Sequence, residues 1–515
     1  MATARMQNFN ELVRGPAVRR PNPRKLSHFI ARDLRGLILR GVLAPGQALP
    51  SESDLLQAFS VSRNTLREAL RILESESLIE IKRGRAGGAV VQHPHPRSVA
   101  RYVSLLLQVR GATLAEIQEA RLIIEGHGAA RLVESTTLGS LETLAAMHEG
   151  EVALIDDPEQ FVSALSRFDR SVFELAGNKT ISVLSSIFRD IIETQRYVGD
   201  GKAPRKSLLL ELADLHKRFL QDVAARDAVA AEATWGAYLS EAAMLLGAAD
   251  LSAPFDVVPV WRHAKSREDG LPQSNTMAAS IANELRIRIA LGELHEGDQL
   301  PAMPELAAEF GVSRPTMREC LRVLEMEGLV DLRTGSRSGA TVLEPTAEVA
   351  AHLALIVLAS VQTRMADVAE ASRLIEPSVV ELVAARIDDA TLAEVAEGAR
   401  ELKGLVDNTI AFMETYEAIT ERVFATASNP AVLVAWQMVH SVSVECRRDL
   451  TISALSLPKV IRGNRSAYDA LEAFIDAAKH RDGTAARAAR VQLLDSVAPF
   501  FASALGDRLI VDLFD

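Results

Sequence analysis

Cysteine and aromatic residues are scarce in this chain of 515 residues. Its 2 cysteines, Cys320 and Cys446, cannot build a disulfide framework, which excludes the class of small disulfide-stapled domains. Aromatic residues make up 5% of the chain and hydrophobic residues 48%, a balance that favours packed helices over sandwiches or barrels. The composition therefore predicts a mainly helical protein.

Long hydrophobic segments are also missing. The longest apolar run is LALIVLASV from Leu353, about half the length that a bilayer span requires. The N-terminal stretch MATARMQNFN lacks the apolar segment of a signal peptide. We therefore expect a cytoplasmic protein with no membrane partner. Because the chain exceeds the ~250–300 residues at which a single core stops growing, several domains are expected.

Positive charge is concentrated at the N-terminal end of the chain. Residues 1–101 hold 17 Lys and Arg against 8 Asp and Glu, a net charge of +9, whereas the whole chain has a net charge of −11. The remainder, with 40 basic against 60 acidic residues, has a net charge of −20. Only the N-terminal segment therefore has the electrostatic character of a nucleic-acid-binding domain.

The chain contains a long internal repeat. VSRNTLREALRILES begins at Val61, and VSRPTMRECLRVLEM begins at Val312, 251 positions later. The same shift pairs Asn178 with Asn429, and the register then drifts by four residues before Asp482. A period of this length indicates duplication of a whole two-domain unit and not a solenoid of small repeats.

The duplication predicts six segments along the chain. Breaks in hydrophobic periodicity and Pro-rich stretches give their boundaries. They are a flexible basic arm at 1–23, a first head at 24–95, a first helical domain at 96–250, a linker at 251–275, a second head at 276–345 and a second helical domain at 346–515.

Each head has the pattern of a helix-turn-helix followed by a β hairpin. In the first head, Ser51 with Asp54 three residues later is typical of a helix N-cap, and a second amphipathic helix follows after a short break. That second helix has Arg63, Arg67 and Arg71 in a row beside its apolar face. A row of this kind is more often a solvated helix face. The whole pattern occurs twice at matched spacing, however, and this favours DNA binding.

The hairpin LIEIKRGRAGGAVV reads as a wing whose glycines could approach a phosphate or enter a minor groove. Its G-x-x-G-G pattern is not a nucleotide loop, because no Lys-Ser/Thr pair and no helix follow it. Phosphate contacts and base contacts are expected from the helix N-terminus, its arginines and the wing. The candidate DNA-binding residues are Arg35, Ser62, Arg63, Asn64, Thr65, Arg67, Arg85, Gly87, Gly88, Ser313, Arg314, Thr316, Arg318 and Arg337.

The stretches LPSESDLLQAFSVSRNTLREALRILESESLI and LPAMPELAAEFGVSRPTMRECLRVLEMEGLV resemble the winged helix-turn-helix of the GntR family of bacterial transcription regulators. The resemblance spans the whole head in both halves and implies double-stranded DNA as the partner. The family often has an arginine where this chain has Ser53 and Pro304, so one expected phosphate contact is missing from each head.

The two heads differ in net charge and in one residue that is expected to contact DNA. Residues 276–342 hold 7 Arg against 10 Asp and Glu, a net charge of −3. Since neutralisation of phosphates dominates DNA affinity, the second head alone is expected to bind more weakly. Pro315 also replaces Asn64, which predicts two related but unequal half-sites.

The helical segments resemble the FCD effector domain of the FadR branch of the same family, a bundle that dimerises and often binds a small carboxylate beside a metal. The resemblance places the metal ligands at Leu165, Asp169, His216 and Tyr238 in the first half and at Tyr416, Thr420, Leu471 and Leu493 in the second. Leucine cannot ligate a metal, so we expect neither metal nor cofactor.

The first helical domain has a candidate ligand site. Arg121 matches the family's carboxylate-binding arginine, and with Asp169, His216 and Tyr238 it could line a polar cavity for a small organic acid. Alternatively, Arg121 pairs with Glu125 one turn later and His216 is a satisfied bundle histidine. In the second half Ser372 replaces Arg121, which favours a structural or dimerising role there.

These features predict a transcription regulator, more often a repressor in this family, that acts as a covalently linked pseudo-dimer on a two-part operator. The alternative is a regulator or scaffold in which only the first head binds DNA and no effector binds. An intramolecular pseudo-dimer and a homodimer of chains both remain open. An enzyme is not expected, since no nucleophile-base set or paired catalytic carboxylates occur.

Overall fold

In a computed structural model of the chain, the structure describes residues 23–82, 88–195, 204–246, 251–252, 254–258, 277–332, 340–453, 457–505 and 507–514. The expected arm at 1–23 lies outside these residues except for Pro23, as does most of the expected linker at 251–275.

The two heads have the same order of elements. The elements of the first are α1 (Pro23–Leu39), α2 (Glu52–Phe59), α3 (Arg63–Ser75), β1 (Ile79–Lys82) and β2 (Gly88–Val91). Those of the second are α11 (Met277–Ala290), α12 (Met303–Glu309), α13 (Arg314–Met326), β3 (Val330–Leu332) and β4 (Ala340–Val342). In both heads a two-stranded antiparallel hairpin follows the helix-turn-helix.

Capping and burial explain where the helices of the heads form. Ser62 accepts a hydrogen bond from the Thr65 amide at the start of α3, and Ser313 accepts one from Thr316 at the start of α13. Such caps satisfy amides that have no partner within the helix. Behind each cap the apolar face is buried, with Leu66 and Met317 fully enclosed at matched positions.

The wings are held by the loops that precede the helix-turn-helix. The Leu49 amide donates to the Ala89 carbonyl at 2.8 Å, and the matched Leu300 amide donates to Ala340 at 2.8 Å. Because backbone groups of short strands need partners when they leave water, this third segment stabilises a hairpin that would be marginal alone. The repeat in sequence is therefore a repeat in backbone hydrogen bonding.

The helical domains also share one order of elements. The first contains α4 (Pro96–Val109), α5 (Leu114–Ser135), α6 (Leu138–Val152), α7 (Pro158–Leu175), α8 (Lys179–Gln195), α9 (Lys206–Ala224) and α10 (Ala228–Ala242). The second contains α14 (Ala347–Ser360), α15 (Met365–Arg386), α16 (Asp389–Lys403), α17 (Thr409–Ala425), α18 (Pro430–Ser453), α19 (Leu457–Lys479) and α20 (Gly483–Leu505). Short 3₁₀ turns at Ala243–Leu246 and Ile510–Phe514 complete the described elements. The predicted mainly helical fold with small β wings is confirmed.

The chain divides into two compact units that interleave its halves. The head unit contains both heads, α14 and the C-terminal turn, and spans 1–102, 263–362 and 509–515. The bundle unit spans 103–262 and 363–508. Part of the segment expected to be a linker packs into the bundle unit, where Phe255 and Val257 are buried. Their apolar side chains explain this, because burying them removes hydrocarbon from water.

Candidate functional site

The first head exposes one edge of α3. Ser62, Arg63, Asn64 and Arg67 are exposed and Thr65 is half-buried, while Leu66 on the opposite side lies in the core. The exposed set combines a capped helix N-terminus, where backbone amides favour anions, with two guanidinium groups. This edge has the chemistry that phosphate and base contacts require.

The second head exposes the matching edge of α13. Ser313, Arg314 and Arg318 are exposed and Thr316 is half-buried, as at the matched positions of the first head. Pro315 occupies the place of Asn64 and removes a side chain with both a donor and an acceptor. The two edges therefore share two arginines and differ at the position between them.

The arginines of the two edges differ in their partners. Arg63 Nε and Arg67 Nε lie 3.3 Å and 3.2 Å from the same Glu52 carboxylate oxygen. The residue matched to Glu52 is Met303, and within the described part of the chain neither Arg314 nor Arg318 has an ion-pair partner. Glu52 was not among the residues selected from the sequence. The substitution of Glu52 by Met303 at matched positions is the signal that could have identified it.

Arg35, which is expected to contact DNA, is paired within the first head. Its guanidinium donates to both oxygens of Glu76, at 2.8 Å and 2.5 Å, and only 11% of its side chain is exposed. His352 Nε2 lies 3.1 Å from the same carboxylate. Burial raises the pKa of Glu76, but the hydrogen bonds from His352 and Arg35 outweigh burial and hold this pKa below its ordinary value. The pair uses Nε and Nη2 of Arg35 and not Nη1, and a phosphate contact by Arg35 stays a prediction.

The wing residues are only partly described. Arg85, Gly87 and Arg337 lie outside the described residues. Gly88 begins β2 and is exposed, and a Cβ added to it would meet no atom within 4 Å. Gly88 is therefore not required by packing within the head.

A buried group of charged side chains lies in the first helical domain. Its cations are Arg121, Arg189 and His216, its carboxylates are Glu125, Glu151 and Asp169, and each is at least nine-tenths buried. Buried charges are tolerated only when they are paired, and the two signs balance here. The sequence had indicated Arg121, Asp169 and His216, with Glu125 as the alternative partner of Arg121, but neither Arg189 nor Glu151. Glu151 is replaced by Leu402 at the matched position of the second half, and this difference between the halves could have indicated Glu151 from the sequence.

Arg121 and His216 are paired within the bundle. Arg121 Nε donates to Glu125 at 2.9 Å, the pairing of the second alternative above. His216 Nδ1 lies 2.9 Å from Glu151. Its Nε2 lies 3.4 Å from Asp169, which is an electrostatic contact and not a well-directed hydrogen bond.

These contacts shift the titration of the group. Burial lowers the pKa of His216, but Glu151 and Asp169 outweigh it and raise this pKa to about 9. Burial raises the pKa of Asp169, but His216 and Arg189 outweigh it and hold that pKa below its ordinary value. His216 is therefore a cation and Asp169 an anion at neutral pH.

Arg189 is the least satisfied cation of the group. Its Nη2 donates to Ser185 at 2.8 Å, and its Nε lies 3.8 Å from Asp169. Among the described residues, Nε and Nη1 of this buried side chain have no hydrogen-bond partner. A guanidinium with unused donors is a natural partner for an additional carboxylate.

The family's metal site does not fit these residues. Leu165 has no donor atom, and the Tyr238 hydroxyl donates to Asp169 at 2.9 Å, so only Asp169 and His216 would remain as ligands. No group of three or more His, Cys, Asp or Glu side chains is placed to hold a metal ion in the described ranges. Two ligands do not complete the tetrahedral or octahedral sets that divalent metals need.

The second helical domain has different residues at the matched places. Thr420, Leu471 and Leu493 occupy the positions of Asp169, His216 and Tyr238, and both leucines are buried. Arg490 instead donates to Glu376 and, at 3.1 Å, to the Tyr416 hydroxyl. The two helical domains therefore enclose different polar groups within one architecture.

The two helical domains contact each other through equivalent residues. Asn178 Nδ2 donates to the Asp367 carbonyl and to Glu370, both at 3.0 Å. In the reciprocal contacts, Asn429 Nδ2 donates to the Glu116 carbonyl at 3.0 Å and to Glu119 at 2.7 Å. Arg131 and Arg386 reinforce the two sides through ion pairs with Glu370 at 2.6 Å and Glu119 at 2.8 Å.

One further contact joins two residues that the repeat itself makes equivalent. His127 Nε2 lies 3.0 Å from Ser378 Oγ, and these positions differ by one repeat length. A residue meets its own equivalent only at the axis of a two-fold interface. The bundle unit therefore contains an isologous interface within a single chain.

Comparison with known proteins identifies the family. The family model described as "Bacterial regulatory proteins, gntR family" matches residues 26–88 and 277–341. The model described as "FCD domain" matches residues 116–241 and 367–496. The chain belongs to the GntR family. It contains two GntR heads and two FCD domains in tandem, as the sequence predicted.

Individual relatives match parts of the chain. The HTH-type transcriptional repressor NanR of Klebsiella aerogenes is 31% identical over 173 residues, which cover 33% of this chain and 64% of the relative. NanR of Enterobacter sp. strain 638 is 29% identical, covering 38% of this chain and 76% of the relative. The solved structure of a Streptococcus agalactiae GntR protein has 20% identity and a TM-score of 0.31, and covers 43% of this chain and 100% of that protein.

Across the described parts of this GntR-family chain, no helix is both long and apolar enough to cross a membrane.

Proposed function

We propose that this GntR-family regulator is a cytoplasmic, sequence-specific DNA-binding repressor and not an enzyme. The matched exposure of Arg63 and Arg67 in the first head and Arg314 and Arg318 in the second is the observation that carries the proposal. Both pairs project from the N-terminal turns of recognition helices, where phosphate and guanine contacts are made. The description of the two relatives as repressors supports the sign of regulation.

The chain acts as a covalently linked pseudo-dimer. The reciprocal contacts of Asn178 and Asn429 support this, because they pair the two FCD domains as two protomers would pair. Linkage makes the second head's binding intramolecular and so raises its effective concentration at the operator. This compensates for the acidic character of the second head.

The experiment selects bound sequences from random double-stranded DNA at moderate salt. Two related, unequal half-sites at a fixed spacing are expected. The double charge reversals R63E/R67E and R314E/R318E, which are matched between the heads, should each weaken binding of the selected duplex by at least 100-fold, since each removes several contacts of ~1–3 kcal/mol. Retained binding by R314E/R318E would favour the alternative in which only the first head binds DNA, and no enriched sequence would refute the proposal.

A small carboxylate is the second part of the proposal. The unused donors of buried Arg189 favour such an effector in the first FCD domain, within the group that contains Arg121, Asp169, His216 and Tyr238. A panel of small organic acids is added to the protein bound to its selected duplex, and one member should change DNA affinity. R189Q should abolish that response and leave DNA binding without effector intact, whereas a response that persists in R189Q would contradict this site.

A further inference from the structure

The exposed edges of α3 and α13, here called the recognition edges, differ in whether a carboxylate contacts their arginines. In the first head, the Glu52 carboxylate lies between Arg63 and Arg67 and contacts the Nε of both. Glu52 is the first residue of α2, directly after the Ser51 cap, so its backbone is fixed by the helix-turn-helix. In the second head the matched first residue of α12 is Met303, which has no charge.

The way in which Glu52 contacts the arginines determines what they can still do. Each guanidinium has five N–H donors, and each contacts Glu52 through its Nε. The two terminal Nη groups form the fork that meets guanine O6 and N7 or a phosphate. A carboxylate that holds Nε thus restricts the side chain and leaves its fork available.

We propose that Glu52 is a positioning residue for DNA reading by the first head, and that its absence makes the second head the less selective of the two. This inference rests on the proposed function, because it requires Arg63 and Arg67 to contact DNA. Glu52 acts through these arginines and touches no base itself.

Two opposing effects follow from one carboxylate. Holding a long side chain in place before binding saves ordering entropy, which strengthens contacts that need one defined geometry. The same negative charge repels phosphates, which weakens contacts that need only charge. Glu52 therefore raises discrimination between sequences while it lowers affinity for any sequence. Met303 has no charge, so the second head should discriminate less between sequences and bind any one sequence more tightly than it would with a glutamate there. Arg314 and Arg318, which have no ion-pair partner among the described residues, thus partly offset the acidic surroundings.

The test exchanges the two residues in the full chain. The probes are the duplex selected by the unmodified protein and a scrambled duplex of the same length and composition. E52M should bind the scrambled duplex more tightly, with a salt dependence steeper by up to about one counterion. The ratio of selected to scrambled affinity should fall roughly 3- to 10-fold, as expected for loosening one or two long side chains. M303E should shift both quantities in the opposite direction.

A double-mutant cycle separates positioning from direct contact. In an R63A/R67A background, E52M should leave the affinity ratio unchanged, because the side chains through which Glu52 acts are gone. A ratio that still falls in that background would mean that Glu52 contacts a base itself, and this would overturn the inference. So would an E52M ratio equal to that of the unmodified protein. Thermal unfolding of E52M and E52Q checks that the head remains folded.

Failure of the proposed function has a different signature. If R63A/R67A binds the selected duplex as tightly as the unmodified protein, the first head does not read DNA through these arginines, and both proposals fall. If R63A/R67A weakens binding while E52M leaves the ratio unchanged, only the inference about Glu52 falls.

Discussion

Two serines of the first head have a backbone conformation that glycine adopts more easily. Ser60 and Ser77 have φ angles of 52° and 56°. The matched residues of the second head, Gly311 and Gly328, have φ angles of 63° and 68°. A Cβ in this left-handed region lies too close to the following carbonyl, whereas glycine has no Cβ. The first head therefore contains strain at the ends of α2 and α3 that the second head lacks.

Replacing these serines should stabilise the first head. S60G and S77G are each expected to add about 0.5–1 kcal/mol to its local unfolding free energy, since the relieved strain exceeds the extra chain entropy of glycine. Native-state amide hydrogen exchange in α2 and α3 measures this energy. The reciprocal variants G311S and G328S should reduce protection in the second head by a similar amount. Faster exchange in S60G would contradict this account of strain.

The stability of the two FCD domains should depend differently on pH, because matched helices have different residues at the position of His216. In the first domain, His216 of α9 faces Glu151 of α6 and Asp169 of α7, and Glu151 is also 2.7 Å from His148. In the second domain Leu471 stands at the place of His216. A histidine whose pKa is raised on folding stabilises the fold below its unfolded pKa of ~6.5. That stabilisation is lost as the pH rises through the folded pKa.

The pKa of a histidine in an unfolded chain is ~6.5, and folding raises the pKa of His216 to about 9. The unfolding free energy of the bundle unit should therefore fall as the pH rises between these two values. Chemical denaturation of the full chain at a series of pH values measures the effect. H216Q retains a donor for Glu151 but cannot take up a proton, so it should be less stable at pH 6 and lose this pH dependence. The informative quantity is the difference in pH dependence between the unmodified protein and H216Q, because contributions from all other groups cancel in it. Identical slopes would contradict the assignment.

The whole chain combines two FadR-type units whose FCD domains contact each other through residues related by the repeat. His127 and Ser378 meet at equivalent positions, and the contacts of Asn178 are repeated by Asn429 on the other side. An isologous surface that is covered within one chain is not available to a second chain. Association between chains through this surface would have to open the interface first.

The chain should therefore be a monomer of 55.8 kDa at micromolar concentrations, and a single chain should bind the selected duplex. Sedimentation equilibrium with and without DNA measures both masses. N178A/N429A removes a buried hydrogen-bonding group from each side of the interface, so it should lower the unfolding temperature of the bundle unit and promote association. A mass twice that of one chain for the unmodified protein would contradict this expectation.

The duplication, the helix-turn-helix heads and the helical class could be derived from the sequence because they depend on local chemistry. Ser62 caps α3 through an amide three residues later, and the apolar spacing that buries Leu66 repeats within one turn. Such short-range preferences act wherever the segment lies in the fold. The repeat doubled each signal, and the family comparison agrees with the result.

Tertiary structure decided which charged residues meet. Arg35 lies 41 positions from Glu76, and Asn178 lies 192 positions from Glu370, so no periodicity connects them. Both arginines of the first recognition edge looked alike in sequence, but their positions relative to Glu52 depend on how α2 packs beside α3. Sequence spacing specifies which face of its own helix a side chain occupies. Its partners across the fold depend on how whole helices pack, because burial drives packing without specifying polar pairs.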